Sequence, residues 1–196
     1  MATAVIPAQA LAQCEGADHQ PTAASAKADR AAVICLVNER RRAAHVRRLT
    51  QVAALDTAAA AYSKRLVAQH FFSHFSPGGG SVEGRVGATG YFRGTSDYMV
   101  GENLGWGTGI RGTPASMVAS WMASPGHRQT MLMSDFRHVG AGVTYGTPIG
   151  AIGATYSVVF GDRVLVRTKA HTSCSSKSRR GTAKCRAAAK RNRAHR

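Results

Sequence analysis

Near its end the chain alternates twice. Val139, Ala141, Val143 and Tyr145 occupy every second position, and so do Ile152, Ala154, Tyr156, Val158 and Phe160, with Pro148 in the turn at 146–150. A period of two sends successive side chains to opposite faces, so these runs predict an antiparallel hairpin. The preceding sequence has a different period. Val33, Leu36, Val37 and Ala44 form one stripe of a helix predicted over 29–44. Leu55, Ala58, Ala59, Tyr62, Leu66 and Gln69 form the stripe of a second over 53–72, with Asp56 well placed in its first turn. Thr113-Pro114 and Ser124-Pro125 each couple a capping hydroxyl to a proline suited to a first turn. They predict a helix ending at Ser124, with Met117, Val118, Trp121 and Met122 inward, and a shorter one reaching Met133. Residues 73–112 are rich in Gly and Ser, with a short helix predicted at 82–88 and a strand at 98–106. Helices, a strand, helices and a hairpin make an α+β pattern with an antiparallel sheet, and exclude a βαβ repeat.

The 196 residues suffice for one domain with a real core, and no uncharged apolar run is long enough to cross a bilayer. The net charge of +16 is concentrated, since 11 of the 26 Lys and Arg lie in residues 167–196, which hold no Asp or Glu. Such a run reads as a solvated arm that attracts anionic polymers, lipid head groups or nucleic acid by unspecific Coulomb forces, and sequence-specific nucleic-acid binding is not expected. Cys14, Cys35, Cys174 and Cys185 flank the predicted core with no C-x-x-C spacing. In an oxidising compartment the economical pairing is Cys14–Cys35 with Cys174–Cys185, one of three possible connectivities. Ala8-Gln9-Ala10 and Ala10-Leu11-Ala12 resemble signal-cleavage sites, although a basic segment before them is lacking. The expected organisation is a signal-peptide remnant at 1–13, a polar linker at 14–28, a domain at 29–162 and a basic tail at 163–196. A secreted or envelope location is expected.

Several segments, in order, resemble the bacterial branch of the CAP superfamily (cysteine-rich secretory protein, antigen 5 and pathogenesis-related 1). They are Leu36-Val37-Asn38-Glu39-Arg40, Phe72-Ser73-His74, Gly90-Tyr91, Gly101-Glu102-Asn103-Leu104, the run from Trp121 through Ser124-Pro125-Gly126-His127-Arg128, Val139-Gly140-Ala141-Gly142 and Phe160-Gly161. The resemblance implies a three-layer α-β-α sandwich with a central antiparallel sheet, usually exported. Many members of that superfamily hold two His and two Glu in a cavity that can bind a divalent metal, often zinc. His74 matches the first His and Glu102 the first Glu. Ser124 stands where the second Glu belongs, and the second His motif is missing, while His127 is expected near the same cavity. Zinc is thus a possible but not a required cofactor, with His74, Glu102 and His127 as its candidate ligands, because imidazole and carboxylate suit it and a three-ligand site leaves a position for water. Asn103, Trp121 and Arg128 are expected to serve structurally.

Three apparent motifs fail. His70 and His74 have zincin spacing, but Phe71 stands where the general-base Glu is needed. Gly107 to Gly112 fits G-x-G-x-x-G without a parallel βαβ unit, and Ser81 lacks the second glycine of a nucleophile elbow. Two function classes stay open. One is a secreted binding module whose cavity or groove, bordered by aromatics such as Trp106, takes a small apolar ligand, an envelope component or a protein. The other is a metal-assisted hydrolase or peptidase in which Glu102 is the candidate catalytic residue, acting as general base on water. A third possibility gives the tail the active part, attaching the body to anionic polymer.

Overall fold

A computed structural model of the chain describes residues 14–166. Its first helix, α1 (Ala26–Ala43), begins three residues before the predicted start. The Ser25 hydroxyl accepts from the Thr22 N–H and donates to the buried Asp29 carboxylate at 2.5 Å, so Asp29 closes the first turn from inside the helix. Val33, Leu36 and Val37 are buried as the stripe requires, whereas Ala44 is exposed. Cys14 bonds to Cys35 on this helix, which settles one of the two expected disulfides. The segment expected to be a polar linker is therefore fastened to the body. Cys14 and Ala17 are buried, and the Ala17 carbonyl accepts from Ala115 N–H at 2.8 Å. Cys174, Cys185 and most of the basic tail lie outside the described residues.

Helix α2 (Ala53–Ala68) stops well short of the predicted end. His70 takes a left-handed conformation, φ 52°, and the Phe71 N–H turns back onto the Leu66 carbonyl, which ends the helix as a glycine normally would. Helix α3 (Val82–Ala88) is capped by the Ser81 hydroxyl, which accepts from the Gly84 N–H. Helix α4 (Pro114–Ala123) is capped by Thr113 as predicted, and α5 (Pro125–Leu132) follows at once.

Four strands form one sheet in the order β1 (Thr50–Gln51), β3 (His138–Tyr145), β4 (Ala154–Leu165) and β2 (Thr95–Gly107). The β3–β4 and β4–β2 pairs are antiparallel, and β4 runs past the predicted tail boundary to Leu165. The antiparallel expectation needs one correction at the edge, where β1 joins β3 in parallel through two residue pairs. Beyond Gln51 the chain leaves the sheet to enter α2, and the Asp56 carboxylate takes the Ala141 N–H at 3.0 Å in place of a strand partner.

The hairpin carries helices on both faces. Val139, Ala141, Tyr156, Val158 and Phe160 pack with Val33, Val37, Met117 and Trp121 on one side. On the other, Val159 packs with Leu55, Ala58 and Ala59 of α2 and with Val86 and Tyr91. Gly140 and Gly142 lie against α2 so closely that a Cβ on either would fall 2.2–2.3 Å from its backbone. The result is the three-layer α-β-α sandwich. Ile152, counted in the alternation, lies outside the strand and is exposed.

Candidate functional site

Glu102 projects from β2 into a polar hollow, its side chain almost fully buried. A buried carboxylate must be compensated, and this one is compensated on every side. Arg85 Nη2, from α3, lies 2.9 Å from both of its oxygens. The Ser157 hydroxyl donates to Oε1 at 3.0 Å, and His74 Nδ1 lies 3.0 Å from Oε2. Arg85 does more than neutralise the charge. Its Nη1 donates at 3.1 Å to the carbonyls of His74 and Gly80, and the guanidinium sits 3.3 Å above the centre of the Tyr62 ring. The Tyr62 hydroxyl donates to the Ser73 carbonyl at 2.6 Å, so helix α2 holds the loop that carries His74. His74 itself is half-exposed.

His127 lies in the first turn of α5. Ser124 does not cap that helix with its side chain, and its hydroxyl lies instead 3.0 Å from His127 Nδ1. Burial, followed by the nearby His74, lowers the His127 pKa from its ordinary 6.5, so the ring is neutral at pH 7. Asn103 Nδ2 donates to the His127 carbonyl at 3.0 Å, joining β2 to α5, and Trp121 Nε1 donates to the Leu104 carbonyl at 2.8 Å, joining β2 to α4. Both bonds are structural. Arg128 is exposed beside a shallow depression that Met122 and Leu132 also line.

The structure therefore brings His74 and Glu102 into direct contact and sets His127 near enough to act on His74 electrostatically. Among the described residues no hydrogen bond joins His127 to Glu102, and no group of three or more His, Cys, Asp and Glu is arranged to hold a metal ion. The donor chemistry does not suit zinc, which takes three or four protein ligands. The Glu102 oxygens face a guanidinium, leaving two imidazoles. Arg85 and Ser157 escaped the sequence reading, since a lone Arg on a short Gly-containing helix and a Ser within an alternating strand carry no spacing signal.

His127 also opens onto a groove of about 900 Å³ between the end of β2 and α4. Phe72, Trp106, Met117, Trp121 and Ile149 line it, and among the described residues Arg111 is its one charged lining residue at pH 7. Phe72 and Ile149 are exposed at its rim, and Trp106 is half-buried.

Comparison with known proteins agrees with this architecture. The chain is 32% identical over 110 residues to the uncharacterized protein YkwD of Bacillus subtilis (strain 168), a match covering 56% of this chain and 40% of that protein. It thus spans well under half the length of this relative. Among solved structures it resembles an extracellular protein containing an SCP domain from Bacillus anthracis str. Ames, with TM-score 0.58 and 22% identity over 69% of this chain and 40% of that one. It also resembles an outer surface protein of Borrelia burgdorferi, with TM-score 0.59 and 19% identity over 74% of this chain and 98% of that one. Among the described residues no helix is long and apolar enough to cross a membrane. The family model for the cysteine-rich secretory protein family matches residues 35–160, the stretch that builds the sandwich and its polar hollow, and the chain belongs to that CAP family.

Proposed function

We propose that this protein is an exported binding module that takes a small, elongated apolar ligand in the groove beside His127. The observation that carries the reading is the groove itself: about 900 Å³, walled by Phe72, Trp106, Met117 and Ile149, with no acidic residue among the described residues that line it. A concave apolar site with a few polar groups at one end is the usual form of a small-molecule site. The Cys14–Cys35 disulfide favours an oxidising compartment, and the structural relatives described as extracellular or outer surface proteins favour the same address. The basic tail supplies attachment to anionic envelope polymer, a charge-driven contact that weakens as salt rises.

The hydrolytic alternative needs Glu102 to take a proton from water. Both Glu102 oxygens are already engaged by Arg85, Ser157 and His74, which leaves no free position for a water to be deprotonated, so the geometry gives that alternative no support.

The test is mass spectrometry of small molecules that co-purify with the full chain secreted from a bacterial host, followed by titration of the compound found. Trp106→Ala should weaken binding by about tenfold, the effect of losing roughly 1.5 kcal/mol of apolar contact. Exposed Tyr145→Ala, outside the groove, should leave it unchanged. A ligand whose affinity ignores Trp106 and Phe72, or a chain that carries and binds no apolar compound, refutes the reading.

A further inference from the structure

We infer that Arg85 is the resident cation of the polar hollow, doing by hydrogen bonding and charge what a divalent metal would do there, and that the His74–Glu102 pair consequently works without zinc. This inference stands apart from the apolar ligand, since it concerns the hollow and not the groove.

Arg85 balances the charge that a metal would balance. Glu102 is buried beside one guanidinium, whose Nη2 lies 2.9 Å from both of its oxygens and pairs with it fully. A zinc ion held by either oxygen at its ordinary distance of about 2 Å would stand against that guanidinium, cation on cation. The oxygens are also saturated, because Ser157 and His74 use the positions that Arg85 leaves.

Arg85 also takes over a mechanical role. A metal cross-links the segments that supply its ligands. Arg85 already cross-links two of them, β2 through Glu102 and the 74–80 loop through two carbonyls, and ties both to α2 through the Tyr62 ring. Its side chain is mostly buried, so these contacts are shielded from water. His74 completes the set by its contact with Glu102, and its half-exposed ring makes it the outward-facing member of the hollow.

Arg85 is thus an obstacle to metal binding, which a merely structural arginine would not be. Equilibrium dialysis of the full, oxidised chain against zinc chloride tests it, comparing the wild type, His74→Ala, Arg85→Met and the double variant. Zinc held elsewhere cancels between partners that differ only at His74. The expected result is that His74→Ala changes nothing in the wild type, whereas Arg85→Met binds zinc about tenfold more tightly than the double variant does, because its freed Glu102 oxygens join His74. Should Arg85→Met fail to fold, Arg85→Gln takes its place, and zinc should raise its melting temperature but not that of the wild type. Wild-type zinc that disappears with His74→Ala overturns the inference, as does a folded Arg85 variant that gains none.

Discussion

Gly142→Ala should destabilise the protein, although alanine in a strand ordinarily does the opposite. Gly142 does not adopt the left-handed backbone conformation, so its role is not conformational. Its role is space: a Cβ there would lie 2.3 Å from the Ala59 carbonyl oxygen and 2.4 Å from Ala60 N. Ordinary contact begins at 3.4 Å, so α2 must retreat from the sheet by about 1 Å, and backbone atoms cannot rotate out of the way. A gap of that size forfeits a quarter to a half of each contact it opens, and overpacking of this kind costs about 1–3 kcal/mol. Removing a strand glycine returns roughly 0.5–1 kcal/mol of backbone entropy. At the middle of these ranges the net loss is about 1 kcal/mol, or ~2–5 °C in melting temperature for a chain of this size. Circular dichroism melts with the Cys14–Cys35 disulfide intact measure it. Gly126→Ala is the control, because nothing lies within 4 Å of a Cβ there and the site is helical, so it should be neutral or stabilising. A Gly142→Ala protein as stable as the wild type, or more so, would refute the claim that α2 rests directly on the strand backbone.

Arg41→Met should cost about 2–4 kcal/mol, because Arg41 is fully buried and donates to the carbonyls of Arg47, Met131 and Met133 at 2.8–2.9 Å, leaving buried acceptors unpaired when it is lost. Urea unfolding should show this, with exposed Arg48→Met changing stability by under about 0.5 kcal/mol. The pH dependence follows from His127 and His138, both lowered from 6.5 chiefly by burial. As pH falls below about 6.5 the unfolded chain binds protons that the folded rings do not, so stability declines toward the folded pKa values. His127→Gln should flatten the melting-temperature profile below pH 6.5. An unchanged slope would show that the ring titrates alike in both states.

Much of this fold was legible because local chemistry and tertiary context agree. Thr113-Pro114 names a helix start that the structure keeps, with Thr113 accepting the Ser116 N–H. Ser124-Pro125 names one too, yet the Ser124 hydroxyl goes to His127, a choice between two nearby partners that sequence cannot make. The end of α2 was hidden because His70, not glycine, takes the left-handed turn. Two-residue β1 is too short to show a period. In the hairpin, alternating apolar residues marked one face correctly. The intervening Gly140 and Gly142 marked the other, as places for close approach, and that signal is readable only once a helix is known to lie above them. The site was legible by residue type at His74 and Glu102. It was not legible in its charge balance, because Arg85 lies 17 residues from Glu102 and meets it only through the fold.

Core and site share one mechanical element, helix α2. Gly140 and Gly142 let it sit flush on β3, and that depth sets where Tyr62 emerges. Tyr62 in turn fixes Arg85 by its ring and the 73–74 segment by its hydroxyl. A displacement of α2 by about 1 Å therefore reaches Glu102 through a single aromatic ring, without touching any residue of the hollow. Gly142→Ala should accordingly alter the hollow as well as the stability. Opening the Arg85–Tyr62 contact frees the loop bearing His74 and Phe75, which hydrogen exchange of the 73–80 amides would register as faster exchange at temperatures well below unfolding. Loss of stability with no change in those amides would mean that the loop is held by Arg85 and Glu102 alone, and that Tyr62 is only a neighbour.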